Sequence, residues 1–273
     1  MSDSAGGGAG VSVALVQTAA STDSRQQRDA VTAWCDRLVA AGAVPDLVVF
    51  PEAVMHDFGA TDHDLAPVAE PLDGPFVELL AAQSRRLGAV VVAGMFERSD
   101  DPRRPYNSLV AVGADATLLG VSRKVHLYDA FGYRESDRLL AGPVEPLAVP
   151  VGPLRLGLMT CYGLRFPEYA RVLVDAGADT LCVPAAWVRG PLKEDHWMTL
   201  LRARAIENTT YVLGAAQGGP TYCGRSSVVD PLGIVVAAAG DQETVVEARL
   251  LPSRIAEARD RNPALSQRRL GVG

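Results

Sequence analysis

Residues 46–53 read DLVVFPEA and residues 179–186 read DTLCVPAA. Set side by side they match Asp46 with Asp179, Pro51 with Pro184 and Ala53 with Ala186, around apolar runs that read as buried strands. Outward from each stretch, the same order of elements recurs. In the first half, VSVALVQ (11–17) is a β-rich run, and a helical pattern starts at Ser24, where Ser24 and Gln27 form a capping-box pattern. Val31, Trp34, Cys35, Leu38 and Val39 keep helical spacing up to a stop at Gly42. A second helix begins near Asp73 and Pro75 and ends at Gly88. AVVVAGMF, NSLVAVG and TLLGVSRK follow as strands, the last two joined as a hairpin. In the second half, LRLGLMT (154–160) is a strand, Pro167 opens a helix that Gly177 closes, and 179–186 is the next strand. A helix over LKEDHWMTLLRARAIEN, the strand TYVLGAA and a hairpin around Asp230, Pro231, Leu232 and Gly233 complete it.

The repeat predicts β-α-β-α-β-β twice. Each half makes a mixed sheet with helices on one face only, and the two bare apolar faces must meet to leave water. The predicted fold class is therefore α/β, a four-layer α-β-β-α sandwich with two mixed sheets related by an internal duplication. A single doubly wound sheet fits less well, because each half ends in an antiparallel hairpin. Residues 1–10 are expected to be a flexible N-terminal segment, and 11–273 one domain.

A hydrophobic content of 48% and a charged content of 21% are those of a globular chain with a large core. The formal charge of −6 argues against a nucleic-acid partner, which calls for a basic face. The longest apolar runs fall well short of the roughly 20 residues a membrane helix needs, so no membrane partner is expected. MSDSAGGGAG lacks a basic start and an apolar region, so no secretory signal is expected there. Cysteines 35, 161, 182 and 223 form no C-x-x-C pair and do not cluster with histidine, which disfavours zinc and a disulfide framework. A soluble protein of the reducing cytoplasm is expected.

Three residues at predicted strand ends draw attention together. Taken singly, Glu52 is a solvated loop acid, Lys124 an edge lysine that discourages aggregation, and Cys161 a small buried residue. As a set, a carboxylate, an ammonium and a thiol supply what acyl transfer needs. The acid takes the thiol proton, and the cation favours thiolate and binds an oxyanion. Glu135 would join them if its loop folds back. His126 and His196 are alternative partners for Cys161, although with four histidines in the chain chance accounts for them. A G-x-S-x-G elbow is missing, and GGGAG precedes a strand where a phosphate cradle must follow one. Trp187 and Arg189 end a strand and could line a pocket, or Trp187 could simply be a rim hydrophobe.

VVFPEA around Glu52, SRKVHLYDAFGYRESD around Lys124 and Glu135, and GLMTCYGLRFPEYAR around Cys161 resemble the three signature segments of the nitrilase superfamily of carbon–nitrogen hydrolases. HWMTLLRARAIENTTYV, GRSSVVDPLGIVV and NPALSQRRL extend the resemblance over roughly residues 11–270. The resemblance implies the same αββα sandwich, with Glu52 as general base, Lys124 as catalytic lysine, Cys161 as nucleophile and Glu135 as second acid. It also implies an oxyanion site at the Tyr162 backbone N–H, no metal or organic cofactor, and a homodimer or larger homo-oligomer. The motif style is closer to the omega-amidase and deaminated-glutathione amidase branch. That branch implies a small linear, carboxylate-bearing amide as the partner molecule, with ammonia released through a cysteine thioester. Tyr128, Arg165, Trp187 and Arg189 are the expected substrate-binding residues, with Arg134 a further candidate for the carboxylate. The alternatives are a nitrilase or N-carbamoyl amino acid hydrolase of the same family, a non-catalytic binding subunit, and an α/β nucleotide-binding protein. The sequence departs from the family at Gly163, where relatives commonly carry an acid. Glycine there permits positive φ, so a tight bend after the nucleophile stays available, while any hydrogen bond made by that acid is absent.

Overall fold

The computed structural model describes residues 10–42 and 44–271; nearly all of the predicted flexible N-terminal segment lies outside the described residues. The first half contains β1 (Val11–Gln17), α1 (Ser24–Ala40), β2 (Leu47–Val49), α2 (Pro75–Leu87), β3 (Val90–Glu97), β4 (Tyr106–Val112) and β5 (Leu118–Arg123). A two-residue hairpin, β6 (Asp129–Ala130) and β7 (Tyr133–Arg134), bridges to the second half. There follow β8 (Ala148–Val151), β9 (Leu154–Leu158), α3 (Pro167–Asp175), β10 (Thr180–Ala185), α4 (Lys193–Asn208), β11 (Tyr211–Ala216), β12 (Ser227–Val229) and β13 (Val235–Ala238). The chain closes with β14 (Thr244–Leu250) and α5 (Pro252–Arg261).

Two six-stranded mixed sheets result, ordered β14-β1-β2-β3-β4-β5 and β13-β12-β11-β10-β9-β8. Alternation along β1 shows how they stack. Val11, Val13 and Leu15 join a core shared with β9, β11 and β12 of the other sheet, while Ala14 and Val16 pack with Val31, Trp34 and Leu80 of α1 and α2. A third core joins the outer face of the second sheet to Leu173 of α3 and to Trp197 and Leu201 of α4. Three cores separate four layers, α-β-β-α, as the duplicated pattern predicted.

The aspartates that opened the two matched stretches do the same work in both halves. The Asp46 carboxylate accepts the Ser12 N–H at 2.7 Å, and the Asp179 carboxylate accepts the Arg155 N–H at 3.0 Å. In each case the strand of the aspartate is tied to the start of its parallel neighbour, β2 to β1 and β10 to β9. The repeat is also longer than the predicted unit. β8 lies antiparallel to β9, and the equivalent edge in the first sheet is filled from the far end of the chain by β14, antiparallel to β1 from Val11↔Leu250 to Gln17↔Thr244. Neither strand was predicted. β8 carries Pro150, which reads as loop but is tolerated at a sheet edge.

One helix start differs from the capping-box reading. Asp23, not Ser24, caps α1, its Oδ1 accepting the Arg25 and Gln26 N–H groups at 2.9 and 3.1 Å. Gln27 turns inward instead and donates to the Val54 carbonyl at 3.0 Å. α2 keeps its predicted ends, with Pro75 in the first turn and Gly88 as a left-handed C-cap.

Candidate active site

The two matched stretches meet at their C-terminal ends, where the chain leaves β2 and β10. Glu52 sits three residues past β2, and one of its oxygens, Oε2, accepts the Ala186 N–H at 2.7 Å. Its backbone carbonyl accepts Gln217 Nε2 at 2.8 Å. The loop carrying Glu52 crosses β3 at Gly94, where an added Cβ would lie 2.4 Å from the Ala53 nitrogen and 2.6 Å from Glu52 Cα. Gly94 is therefore required for the approach.

Lys124, the residue after β5, is fully buried, and its Nζ donates at 2.8 Å to Oε1 of both Glu52 and Glu135. Asn107 of β4 reaches the same two oxygens, with Nδ2 2.7 Å from Glu52 and 3.5 Å from Glu135. Glu135 does fold back. The hairpin β6–β7 returns it beneath Tyr128, whose N–H donates to Glu135 Oε2 at 2.5 Å while the Glu135 N–H donates to the Tyr128 carbonyl at 3.2 Å. Cys161 opens a one-turn helix (Cys161–Arg165) beyond β9, 8% exposed, with φ +41°. That left-handed backbone costs a non-glycine residue of order 1–3 kcal/mol and is the strained geometry often held at functional sites. The positive φ belongs to Cys161 and not to Gly163, so the bend that a glycine permits there is not used; a Cβ at Gly163 would come no closer than 3.3 Å, to Met159. Ala53, beside Glu52, is also left-handed at φ 53°.

Electrostatics fix where the protons rest. Burial disfavours the Lys124 ammonium, but Glu135 and Glu52 outweigh it, so its pKa is raised and the amine stays charged. Burial also opposes ionisation of Glu52; the Lys124 charge, the Cys161 thiol and the Ala186 N–H overcome it and hold Glu52 below the usual carboxylate value. Glu135 is pushed up by burial and by the Glu52 charge, in spite of Lys124. Burial and the neighbouring Glu52 carboxylate lift the Cys161 thiol well above its ordinary value. At neutral pH the site holds a protonated thiol against an ionised acid, which is the state from which a base-assisted thiol attack starts.

Glu52, Lys124, Glu135 and Cys161 line one cavity of about 410 Å³. Tyr128, Tyr162, Arg165, Trp187 and Arg189 line it as well, with the Tyr128 and Tyr162 rings 5.1 Å apart. Arg189 is already engaged, donating from Nε to the Tyr222 carbonyl at 2.8 Å and lying 3.4 Å from Asp241. Arg134 points elsewhere, exposed and 3.5 Å from Asp137, so it is not a cavity residue. His126 stacks on Phe166 at 3.7 Å and His196 lies 3.4 Å from Arg165; neither lines the cavity. Among the described residues, no group of three or more His, Cys, Asp and Glu side chains is placed to hold a metal ion.

Sequence reasoning missed Asn107 and Lys193. Asn107 is fully buried at the start of a strand whose polar residue must find partners. Lys193 lines the cavity from the first turn of α4, where a cation opposes the helix dipole. That misplacement is the signal that marks it.

The carbon-nitrogen hydrolase family model matches residues 12–260. Over 241 residues the chain is 40% identical to deaminated glutathione amidase of Escherichia coli O157:H7, spanning 86% of this chain and 90% of the relative. Over 236 residues it is 33% identical to omega-amidase NIT2-A of Xenopus laevis, spanning 82% and 83%. The solved structure of XC1258 from Xanthomonas campestris, a CN-hydrolase superfamily protein with an arsenic adduct in the active site, is similar at TM-score 0.85 and 31% identity, covering 97% of this chain and 99% of that one.

Proposed function

The chain belongs to the carbon–nitrogen hydrolase family, and from that premise we propose that it is an amidase acting on a small linear amide through a cysteine thioester. The observation that supports this most strongly is the pairing of Lys124 Nζ with both Glu52 and Glu135 at 2.8 Å, beside a thiol that interacts with Glu52.

Glu52 takes the thiol proton as the Cys161 sulfur bonds to the carbonyl carbon, and the C=O π pair moves to oxygen. Lys124 and the Tyr162 N–H hold that oxyanion; Tyr162 stands in the first turn of its short helix, where an amide has no carbonyl partner within the helix. Collapse breaks the C–N bond, the protonated Glu52 gives its proton to nitrogen, and ammonia leaves a thioester. Glu52 next takes a proton from water as its oxygen attacks the thioester. The C–S bond breaks, the acid product departs, and the sulfur recovers its proton from Glu52. Glu135 keeps Lys124 charged and in place throughout.

Four buried free thiols suit a reducing cytoplasm, and a homodimer is carried by the family resemblance alone, to be measured by light scattering. Among the described residues, no helix is long and apolar enough to cross a membrane.

Ammonia release from a panel of small amides, run beside nitriles and N-carbamoyl amino acids, tests the activity. Cys161→Ala is expected to lose ammonia release and the mass increment of the acyl-enzyme together. Wild-type turnover in that variant would exclude Cys161 as nucleophile.

A further inference from the structure

An ionised carboxylate offers about four lone-pair positions to donors. In Glu52 all but one are filled. Oε1 accepts Lys124 Nζ at 2.8 Å and Asn107 Nδ2 at 2.7 Å, and Oε2 accepts the Ala186 N–H at 2.7 Å. The open position is therefore on Oε2. Lys124 is a shared donor: its ammonium also pairs with Glu135, and in the proposed reaction it holds the oxyanion as well. Asn107 has no second task of that kind. It is fully buried and does not line the cavity.

The fold fixes Asn107 firmly. It stands on β4, which lies between β3 and β5, and its backbone carbonyl accepts the Lys124 N–H at 2.8 Å, so amide and ammonium approach Glu52 from neighbouring strands. Ionised Glu52 can only accept, so Nδ2 is the atom of the amide that faces it. Oδ1 is then buried with no hydrogen-bond partner. A leucine, with the same branched shape, would leave no such orphan, so packing alone does not account for an amide here. What the amide adds is a donor to Glu52.

Resting on the amidase reading above, we propose that Asn107 is a positioning residue for the base: it fills the second place on Oε1, so that Oε2 is the atom that takes the thiol proton. In acylation that proton passes from sulfur to Oε2, and from the same atom it leaves with the departing nitrogen. Throughout, Oε1 keeps its two donors, and the carboxyl does not turn between steps. Among the described residues, the titratable groups around Glu52 are Lys124, Glu135, Cys161 and Tyr222. Asn107→Leu leaves all of them in place and removes one donor from the charged form of Glu52, which raises the pH at which that acid ionises.

Two readouts compare Asn107→Leu with the wild-type protein. The first is alkylation of Cys161 by iodoacetamide, followed by mass: the S–C bond forms, iodide leaves, and the thiol proton passes to Glu52. The acid limb of this rate is expected to move up by about one pH unit or more in the variant. The second is ammonia release, where kcat is expected to fall about tenfold at neutral pH while KM changes by less than about twofold. An unmoved alkylation limb overturns the proposal whatever the stability of the variant, because a packing role lowers stability without moving that limb. Wild-type kcat in the variant overturns it as well. Asn107→Ala carries the same comparison if the leucine variant does not fold. A wild-type alkylation limb centred at or above about pH 5.5 overturns the proposal without any variant, because Glu52 with its full set of donors stays ionised down to the ordinary carboxylate value of about 4.3. If the wild-type protein releases ammonia from no amide, the amidase reading fails, and the alkylation limb still decides for or against Asn107.

Discussion

Replacing Lys124 by methionine would leave Glu52 and Glu135 buried side by side with no cation between them. Two effects are expected. Loss of an oxyanion donor lowers kcat by on the order of 10²–10³. Breaking the buried ion cluster costs about 3–5 kcal/mol of stability at neutral pH. The sign of the pH dependence follows from the acids. Without Lys124 both carboxylates have folded-state values above the unfolded value of about 4.3, so stability is lost as pH rises past that point and regained as pH falls. Denaturant unfolding of the variant at pH 5 and pH 8 checks this, and equal stability at the two values would contradict it. The same residues explain the resting thiol. Glu52 accepts from Lys124, Asn107 and the Ala186 N–H, so it is a held and ionised base, while the Cys161 proton stays on sulfur until substrate arrives.

At the level of elements, the site depends on how closely loops can cross strands. β3 passes directly under the turn that carries Glu52, and the crossing is sealed by the Met55 N–H to the Gly94 carbonyl at 3.2 Å and the Gly94 N–H to the Pro51 carbonyl at 3.1 Å. Gly94→Ala would push a methyl group into the backbone of Glu52 and Ala53. The expected outcome is a loss of about 1–3 kcal/mol in unfolding free energy together with at least a hundredfold fall in kcat/KM, since displacing the base by about 1 Å disrupts its alignment with the thiol. Wild-type kinetics in this variant would show that the turn can move without consequence. β9 delivers Cys161 in a complementary way, ending in a strained turn at the cavity wall.

For the molecule as a whole, the closing strand is the unexpected feature. β14 belongs to the first sheet although every strand of the second sheet precedes it in the chain, and Val246, Leu250 and Ile255 of the C-terminal segment fill the core between the sheets. Burial of each large apolar side chain contributes about 1.5–3 kcal/mol, so the three together rival the net stability of an ordinary domain, roughly 5–15 kcal/mol. A chain ending at Glu243 is therefore expected to lose its cooperative thermal transition and expose the β1 edge to aggregation. A soluble truncated protein with a sharp, undiminished transition would contradict that account.

The periodicity of the chain by itself determined the layers. Apolar alternation and helical spacing are local properties, and the matched stretches 46–53 and 179–186 carried the duplication because the same aspartate contact is needed in each half. The strand-end positions of Glu52, Lys124 and Cys161 were legible for the same reason. Only the tertiary structure decided which edge β14 would occupy, that the Ala186 N–H of one half would hold the Glu52 of the other, and that Cys161 would bear the left-handed turn. It also decided that Lys193, which reads locally as a solvated cation at a helix start, faces the cavity. These features arise where segments far apart in the chain close against one another, and closure depends on distances in space that no local pattern encodes.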